Sequence, residues 1–542
     1  MKGLKYISII LIILLTITAC SSNVNIEDGE VEDEVVEEHV PADGGTLVLS
    51  TTRFKTLNPI FNRNEDLFQI QHLIYESLVT FSEDMSIEPL LAEGWEFTNG
   101  EYGQSIDFKL RRGIKWHDGE TLTADDVIFT FNLIKGNIKG ISKVSIYKHS
   151  LEYITNIVKV DDNTVRVNFS KNIGNGLEMM TFPILPEHIF EGNKVQLLEQ
   201  DDFNIVGTGA YELKEYEKMR SISLVRNDNY WKNKPYIDKI NVLIVPDEEA
   251  QLSLFENGGI DFVNPKVVDW GKYVDEKTTN SAEFITPNYE FLGINFRKNI
   301  LHDLNIRKGI AYSIDREKIT GNIYLGHSTV VDFPILPNSW LCDDSKIQLG
   351  FNPNLAGTFL DEAGYILDEN NNLRVNEKGD IIQLKLITNA NNSLREQTAL
   401  LIQEDLKKVG IQLDVEFLEW EDFEKQMNTG NFDLILGGWK LSYIPDITSA
   451  FHSSKIGGTN FIAYSNEKLD SLLDSYLGNG DLTSKKQRFS EIEEHLVTEL
   501  PYISLFFRNG AVLVNNKIKG DPKPQSYNIF ANIEEWYIDV KK

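Results

Sequence analysis

Three features of this sequence predict an α/β protein of more than one domain. Beyond Tyr289, strand-like and helix-like stretches alternate, including one strand-helix-strand unit with short connections. Between Gly44 and about Trp231 the texture is instead one of short alternating strands separated by turn residues. The chain has 542 residues, with aromatic, aliphatic and charged residues in ordinary globular proportions past the first forty positions, enough for two or more cores.

The chain opens with Lys2 and Lys5, an apolar stretch from Ile7 to Leu15, and then Ile17-Thr18-Ala19-Cys20. The apolar run is shorter than the ~20 residues of a membrane-spanning helix, and small residues follow it, so 1–19 reads as a cleaved export leader. The pattern resembles the bacterial lipobox. That resemblance implies that Cys20 is the lipid-modified first residue of the mature protein, which is then extracytoplasmic and held at the membrane by lipid. The next stretch carries Glu27, Asp28, Glu30, Glu32, Asp33, Glu34, Glu37 and Glu38 with no lysine or arginine. Like charges keep such a segment extended, so 20–43 reads as an acidic tether.

Formal charge is −29, which argues against a nucleic-acid partner because phosphate binding needs clustered lysine and arginine. With Cys20 acylated, Cys342 is the remaining cysteine and an internal disulfide is excluded. The chain is read as a monomer.

Thr123 with Asp126 three residues on forms a capping box before Val127, Phe131 and Ile134, which share a helical face. Ile382, Leu384 and Leu386 alternate as a strand. Ser393 with Glu396 caps a helix that carries Leu401, Ile402 and Val409 inward and stops at Gly410; Ile411, Leu413, Val415 and Phe417 alternate again. The right-handed crossover rule makes these two strands parallel. A late helix carries Phe489, Ile492 and Leu496 on one face and ends by Pro501, before the apolar run Tyr502 to Phe507.

Catalytic signatures are missing from the pattern. The nine histidines include no pair at helical ligand spacing, so no metal site and no cofactor is expected. Gly326-His327-Ser328-Thr329-Val330 lacks the final glycine of a nucleophile elbow, and Gly207-Thr208-Gly209 has no following lysine and reads as a turn. The chain is read as a non-enzyme.

Leu91-Ala92-Glu93-Gly94-Trp95, Phe108 through Gly119 and Thr123 through Val127 together resemble the peptide and nickel class of bacterial extracellular solute-binding proteins. Gly207 through Tyr211 with Arg226 through Trp231, Asn295 with Ile306 through Arg316, and Phe432-Asp433 with Gly438-Trp439 agree, in family order across nearly the whole mature chain. The resemblance implies a two-lobed periplasmic-binding-protein fold of the type II-like, large peptide-binding variant, its lobes joined by two crossing strands. Tyr289 to Phe296 would cross outward and Tyr502 to Phe507 return. Lobe I is then 44–288 and 508–542, with an inserted subdomain at about 62–200, and lobe II is 289–507. Asp118-Gly119 and Asp228-Asn229 read as turns, and Arg307 and Asp315 as braces of a helix.

The ligand is implied to lie against Trp420 and Trp439, whose flat apolar faces suit stacking. Trp439 would end a strand at Phe432 to Leu436. Where many peptide-binding relatives carry an aspartate for the ligand's amine, this chain has Ser442, and the loop Ser442-Tyr443-Ile444-Pro445-Asp446 keeps its carboxylate at Asp446. A neutral hydroxyl cannot offset desolvation of an ammonium, so Asp446, aided by Glu65 or Asp66, takes that role or the ligand lacks a free amine. Arg63, Asn64 and Glu65 are expected to enter the cleft from the first lobe, and Tyr443, Asn460 and Tyr464 from the second. The implied function is the substrate-binding lipoprotein of an ABC importer, delivering oligopeptides or dipeptides to a permease and ATPase complex. Oligosaccharide or metal-chelate ligands are the alternative within the class, and an extracellular hydrolase or a sensor the alternatives outside it.

Overall fold

The computed structural model describes residues 41–99, 103–190, 198, 204–343, 345, 349–478 and 482–539. The leader, Cys20 and nearly all of the 20–43 tether lie outside these residues.

Two large hydrophobic cores organise the molecule. The first gathers residues from Leu47 to Phe262 and takes Val512, Val514 and Trp536 from the chain's end; the second runs from Tyr289 to Phe507. Around the first core, the Thr46–Thr52 strand pairs parallel with Lys239–Val245, followed by Ser221–Arg226 and Tyr211–Glu217. A separate four-stranded antiparallel sheet of Ala92–Asn99, Gln104–Leu110, Thr164–Phe169 and Ile154–Asp161 stands beside it. The helix Ala124–Lys135 packs there behind the expected capping box of Thr123 and Asp126 and stops at Gly136, whose φ of 79° suits glycine.

The second core is built on a sheet in which Gln383–Asn389 runs parallel to both Gln412–Leu418 and Leu434–Lys440. The strand-helix-strand unit is present, with Ser393–Lys408 as its helix. Its cap, however, is Asn392 and not Ser393: the Asn392 side-chain oxygen Oδ1 accepts from the Arg395 amide at 3.1 Å. Asn391 at φ 65° turns the chain just before, which leaves Ser393 already helical. The strand expected at Phe432 to Leu436 is Leu434–Lys440, so Trp439 lies inside it.

Two long strands join the cores. Thr279–Ile294 and Tyr502–Asn515 pair antiparallel along almost their whole length; the outgoing strand begins ten residues before the expected Tyr289 and stops at Ile294, short of Phe296, and the return strand runs on past Phe507. Their hydrogen-bond register breaks between Ile285 and Tyr289, beside Pro287, which has no amide to donate. Thr286 stitches the break: its hydroxyl donates to the Arg508 carbonyl at 2.7 Å and accepts from the Asn288 side chain at 2.9 Å. Burial changes at the same place. Residues 280–286 are at most half-buried, whereas 289–294 are all buried. This is a two-lobed α/β fold with lobes joined by crossing strands.

His117 ties two segments of the first lobe together. Its Nδ1 accepts from the Gly207 amide at 3.1 Å, which leaves Nε2 to donate to the Gly209 carbonyl at 3.0 Å. Burial lowers its pKa to about 4, so the ring is neutral near pH 7. Acid must charge this ring and break the bond from Gly207. The folded pKa is below the unfolded one, so the contribution is full above about pH 6.5 and fades as pH falls toward about 4. We expect the acid-side slope of stability between those values to be shallower in His117→Asn, measured by urea denaturation; parallel curves would remove His117 as a source.

Candidate functional site

A cavity of about 660 Å³ opens between the lobes, with the crossing strands as its floor. Phe284, Thr286, Asn288, Arg508, Asn509 and Gly510 form that floor. The register break puts it there, because backbone released from the ladder turns its side chains into the space between the cores.

From the first lobe, the loop entering the Glu65–Gln71 helix supplies one wall. Asn64 is the helix cap: its side-chain Oδ1 accepts from the Leu67 amide at 2.8 Å while its side-chain Nδ2 donates to the Thr52 hydroxyl at 2.8 Å. Cap geometry therefore explains Asn64, and the fixed cap delivers Arg63 and Glu65 into the cavity lining. Glu248, Lys266 and Val268 complete that side, and Tyr324, His327, Lys440 and Tyr443 come from the second lobe.

Charge in this lining opposes that of the chain. Arg63, Lys266, Lys440 and Arg508 face two carboxylates, Glu65 and Glu248. Glu65 and Lys440 form an ion pair across the cleft. Burial acts to raise the Glu65 carboxyl, but the Lys440 ammonium, with Lys266 nearby, brings it below the ordinary carboxylate range. Burial raises Glu248, opposed by Lys266. Arg508 sits above Glu290, which is 2 % exposed and 3.6 Å from the Arg508 Nε.

Other contacts hold the lobes against each other. The Tyr443 hydroxyl is 2.8 Å from that of Ser526, and the Trp340 amide donates to the Asp84 carbonyl at 2.8 Å. On another edge, Lys485 reaches Glu178 at 3.1 Å, both buried.

The structure brings together Arg63, Asn64, Glu65 and Tyr443 from the expected set. Ser442 and Asp446 border a separate small hollow; the Ser442 hydroxyl accepts from the Ile444 amide at 3.0 Å and Asp446 from the Thr448 amide at 2.9 Å. Trp439 points into the second lobe's aromatic packing, with ring centroids 6.2 Å from Phe291 and 5.7 Å from Phe461. Strand alternation explains this: Lys440 faces the cavity, so its neighbour faces away. Trp420 stands exposed at the start of the Trp420–Thr429 helix, against Phe423 and outside the cavity. Asn460 and Tyr464 are interior. The Asn460 side chain donates to the carbonyls of His452 and Tyr464 and accepts from the Tyr464 amide, and the Tyr464 hydroxyl meets His495 Nε2 at 2.9 Å.

Sequence reasoning missed Lys266, Lys440, Arg508, Glu248 and His327. Arg508 and Lys440 each follow directly on an apolar strand run, a readable signal where a buried strand emerges into a cleft. Lys266 and Glu248 sit in segments with no such mark.

Comparison with known proteins agrees with this architecture. The profile of the bacterial extracellular solute-binding proteins, family 5 (Middle), matches residues 86–460. The oligopeptide-binding protein AppA of Bacillus subtilis is 28 % identical over 554 aligned positions, covering 99 % of this chain and 98 % of its own. The structure of that AppA in complex with a nonapeptide superposes with a TM-score of 0.63 at 27 % identity, covering 92 % of this chain and all of the other. HbpA2 from Haemophilus parasuis, 24 % identical with the same coverage, reaches a TM-score of 0.80. With the match extending over most of its length and both lobes in place, this chain belongs to the family 5 bacterial extracellular solute-binding proteins.

Proposed function

We propose that this protein is the lipid-anchored substrate receptor of an ABC importer, enclosing a short peptide between lobes 44–288 with 508–542 and 289–507 and delivering it to a permease. The observation that carries the reading is the cation excess of the interlobe lining in a chain of charge −29. A ligand with a free carboxylate meets Arg508, Lys266, Lys440 and Arg63 there, and a peptide amine has Glu65 and Glu248. Those two carboxylates take over the role that Ser442 cannot fill and that Asp446, in its own hollow, does not reach. The volume falls in the ~300–1,000 Å³ range of small-ligand sites. Peptide binding in relatives such as the B. subtilis oligopeptide-binding protein supports the ligand class.

Binding alone accounts for the site, and ligand should leave it chemically unchanged. A charge-assisted hydrogen bond contributes about 1.5–3 kcal/mol. Arg508→Gln should therefore weaken peptide binding by ~10–100-fold in titration calorimetry, and so should amidating the peptide's C terminus. Equal affinity for free-acid and amidated peptides would defeat the carboxylate assignment. The same cation excess also favours an acidic metal chelate. Mass spectrometry of the ligand that co-purifies separates the two, since a chelate found in place of peptides would overturn the first reading. Lipid anchoring on Cys20 predicts palmitate labelling of the wild type that Cys20→Ser abolishes, with labelling retained in the variant counting against it.

A further inference from the structure

We propose that a second cavity, formed within the first lobe and open to solvent at its Glu83 and Glu88 rim, is a separate binding site for a small organic cation with an apolar body. This cavity measures about 300 Å³ and lies behind an aromatic wall. Phe68 and His72 meet edge to face at 4.9 Å, Phe81 and Tyr527 at 4.9 Å, and Tyr443 and Tyr527 at 5.3 Å. Phe68 borders both this space and the interlobe cavity, and Tyr443, outside this cavity's lining, backs Tyr527 from the other lobe.

Its polar groups are arranged for an occupant. Tyr75 is 4 % exposed, and among the described residues neither its hydroxyl nor the buried Nε2 of His72 has a hydrogen-bond partner. Such groups are costly in an interior unless something filling the space takes their bonds. Glu76, 6 % exposed, accepts from the Thr208 hydroxyl and the Trp231 indole on Oε2, both at 2.8 Å, and from the Tyr230 hydroxyl on Oε1 at 2.9 Å. Oε1 retains a lone pair for a further donor. Burial raises this carboxyl above the ordinary range, with Lys232 opposing. Burial also lowers His72 to about 4, leaving a neutral ring.

Charge selects the ligand. Glu76, Glu83, Glu88 and Glu534 line the cavity against one lysine, Lys232, among the described residues, the reverse of the balance between the lobes. Aromatic faces with carboxylates are the combination that recognises an ammonium: the ring quadrupole and the carboxylate both attract positive charge, and the ring also covers the apolar body.

The test compares three probes of similar shape on the full chain by titration calorimetry: 2-phenylethylammonium, 2-phenylethanol and 3-phenylpropionate. The ammonium should bind saturably, the alcohol at least tenfold more weakly, and the carboxylate should not compete with the ammonium for this cavity. Tyr75→Phe and the exposed Glu88→Gln should each weaken ammonium binding about fivefold. A purely structural Tyr75 would behave differently: here its hydroxyl has no partner to lose, so the thermal midpoint of Tyr75→Phe should stay level or rise. A crystal grown with the ammonium should show it at Tyr75. Absence of saturable binding, equal binding of the three probes, affinity unchanged in both variants, or density for the probe only between the lobes would each overturn the proposal.

Discussion

Replacing Glu290 with glutamine is expected to cost the folded protein about 3–5 kcal/mol, because it strips the charge from one side of a buried ion pair and leaves the other. Glu290 lies on the outgoing crossing strand. Arg395, at the first turn of the Ser393–Lys408 helix, grips it with Nε at 2.8 Å and Nη2 at 3.1 Å, and Arg508 approaches from the return strand. Glutamine keeps the shape but presents an amide to a guanidinium that has few other partners, chiefly the Asn389 side-chain carbonyl at 2.9 Å. The network is so tight that a side chain on Gly438 would overlap the Arg395 guanidinium. Urea denaturation followed by second-lobe fluorescence measures the effect; a loss under about 1 kcal/mol would mean that water reaches the pair. Since Glu290 also underlies Arg508, ligand affinity should fall in the same variant.

The second large effect concerns closure. Lys485, on the Leu482–Glu499 helix of the second core, pairs at 3.1 Å with Glu178 of the first, both about 5 % exposed. The Gly174 amide donates to the Leu477 carbonyl at the same edge, and Gly174 leaves no room there for a side chain. In Lys485→Met the carboxylate would be stranded while the lobes are together and hydrated once they part. The closed arrangement is therefore disfavoured, by up to about 3 kcal/mol, or about a hundredfold in ligand Kd. Stability of the separate lobes should hardly change. Removing both charges with Lys485→Met and Glu178→Leu should recover most of the affinity, because an apolar pair replaces a buried ion pair at little cost. Calorimetric Kd values for the single and double variants decide it, and a double variant as weak as the single would show that the pair does not govern closure.

How much of this was legible in the sequence varied with the range of the interaction. The Thr123 capping box, the parallel strands around Ser393–Lys408 and the stop at Gly410 follow from signals within a few residues, and the structure contains them. The Asn392 cap was misplaced by one residue because Asn and Ser are both good caps; only the left-handed turn at Asn391 chose between them. Arg307 behaves as the brace it was read to be, with its guanidinium donating to the carbonyls of Leu301, His302 and Glu499.

The site was harder to read because its residues meet only through the crossover. Glu65 and Lys440 are 375 positions apart, and no local pattern announces that they pair. Trp439 and Lys440 are adjacent, yet alternation along the strand sends one into the aromatic packing and the other into the cavity. Asn460 and Tyr464 carry the chemistry of binding residues but spend it inside the lobe, the Asn460 side chain on the Tyr464 backbone and the Tyr464 hydroxyl on His495.

By itself the sequence determined the α/β class and the elements with local signals, since capping, turn chemistry and hydrophobic period act over one or two turns of chain, and its motifs, by resemblance to a known family, implied the family and its two-lobed plan. Only the tertiary structure decided which side chains share the cleft, the sign of the charge they present, and the existence of a second, oppositely charged cavity. Those depend on strand register and on contacts hundreds of residues apart, where a shift of one position turns a side chain from pocket to core.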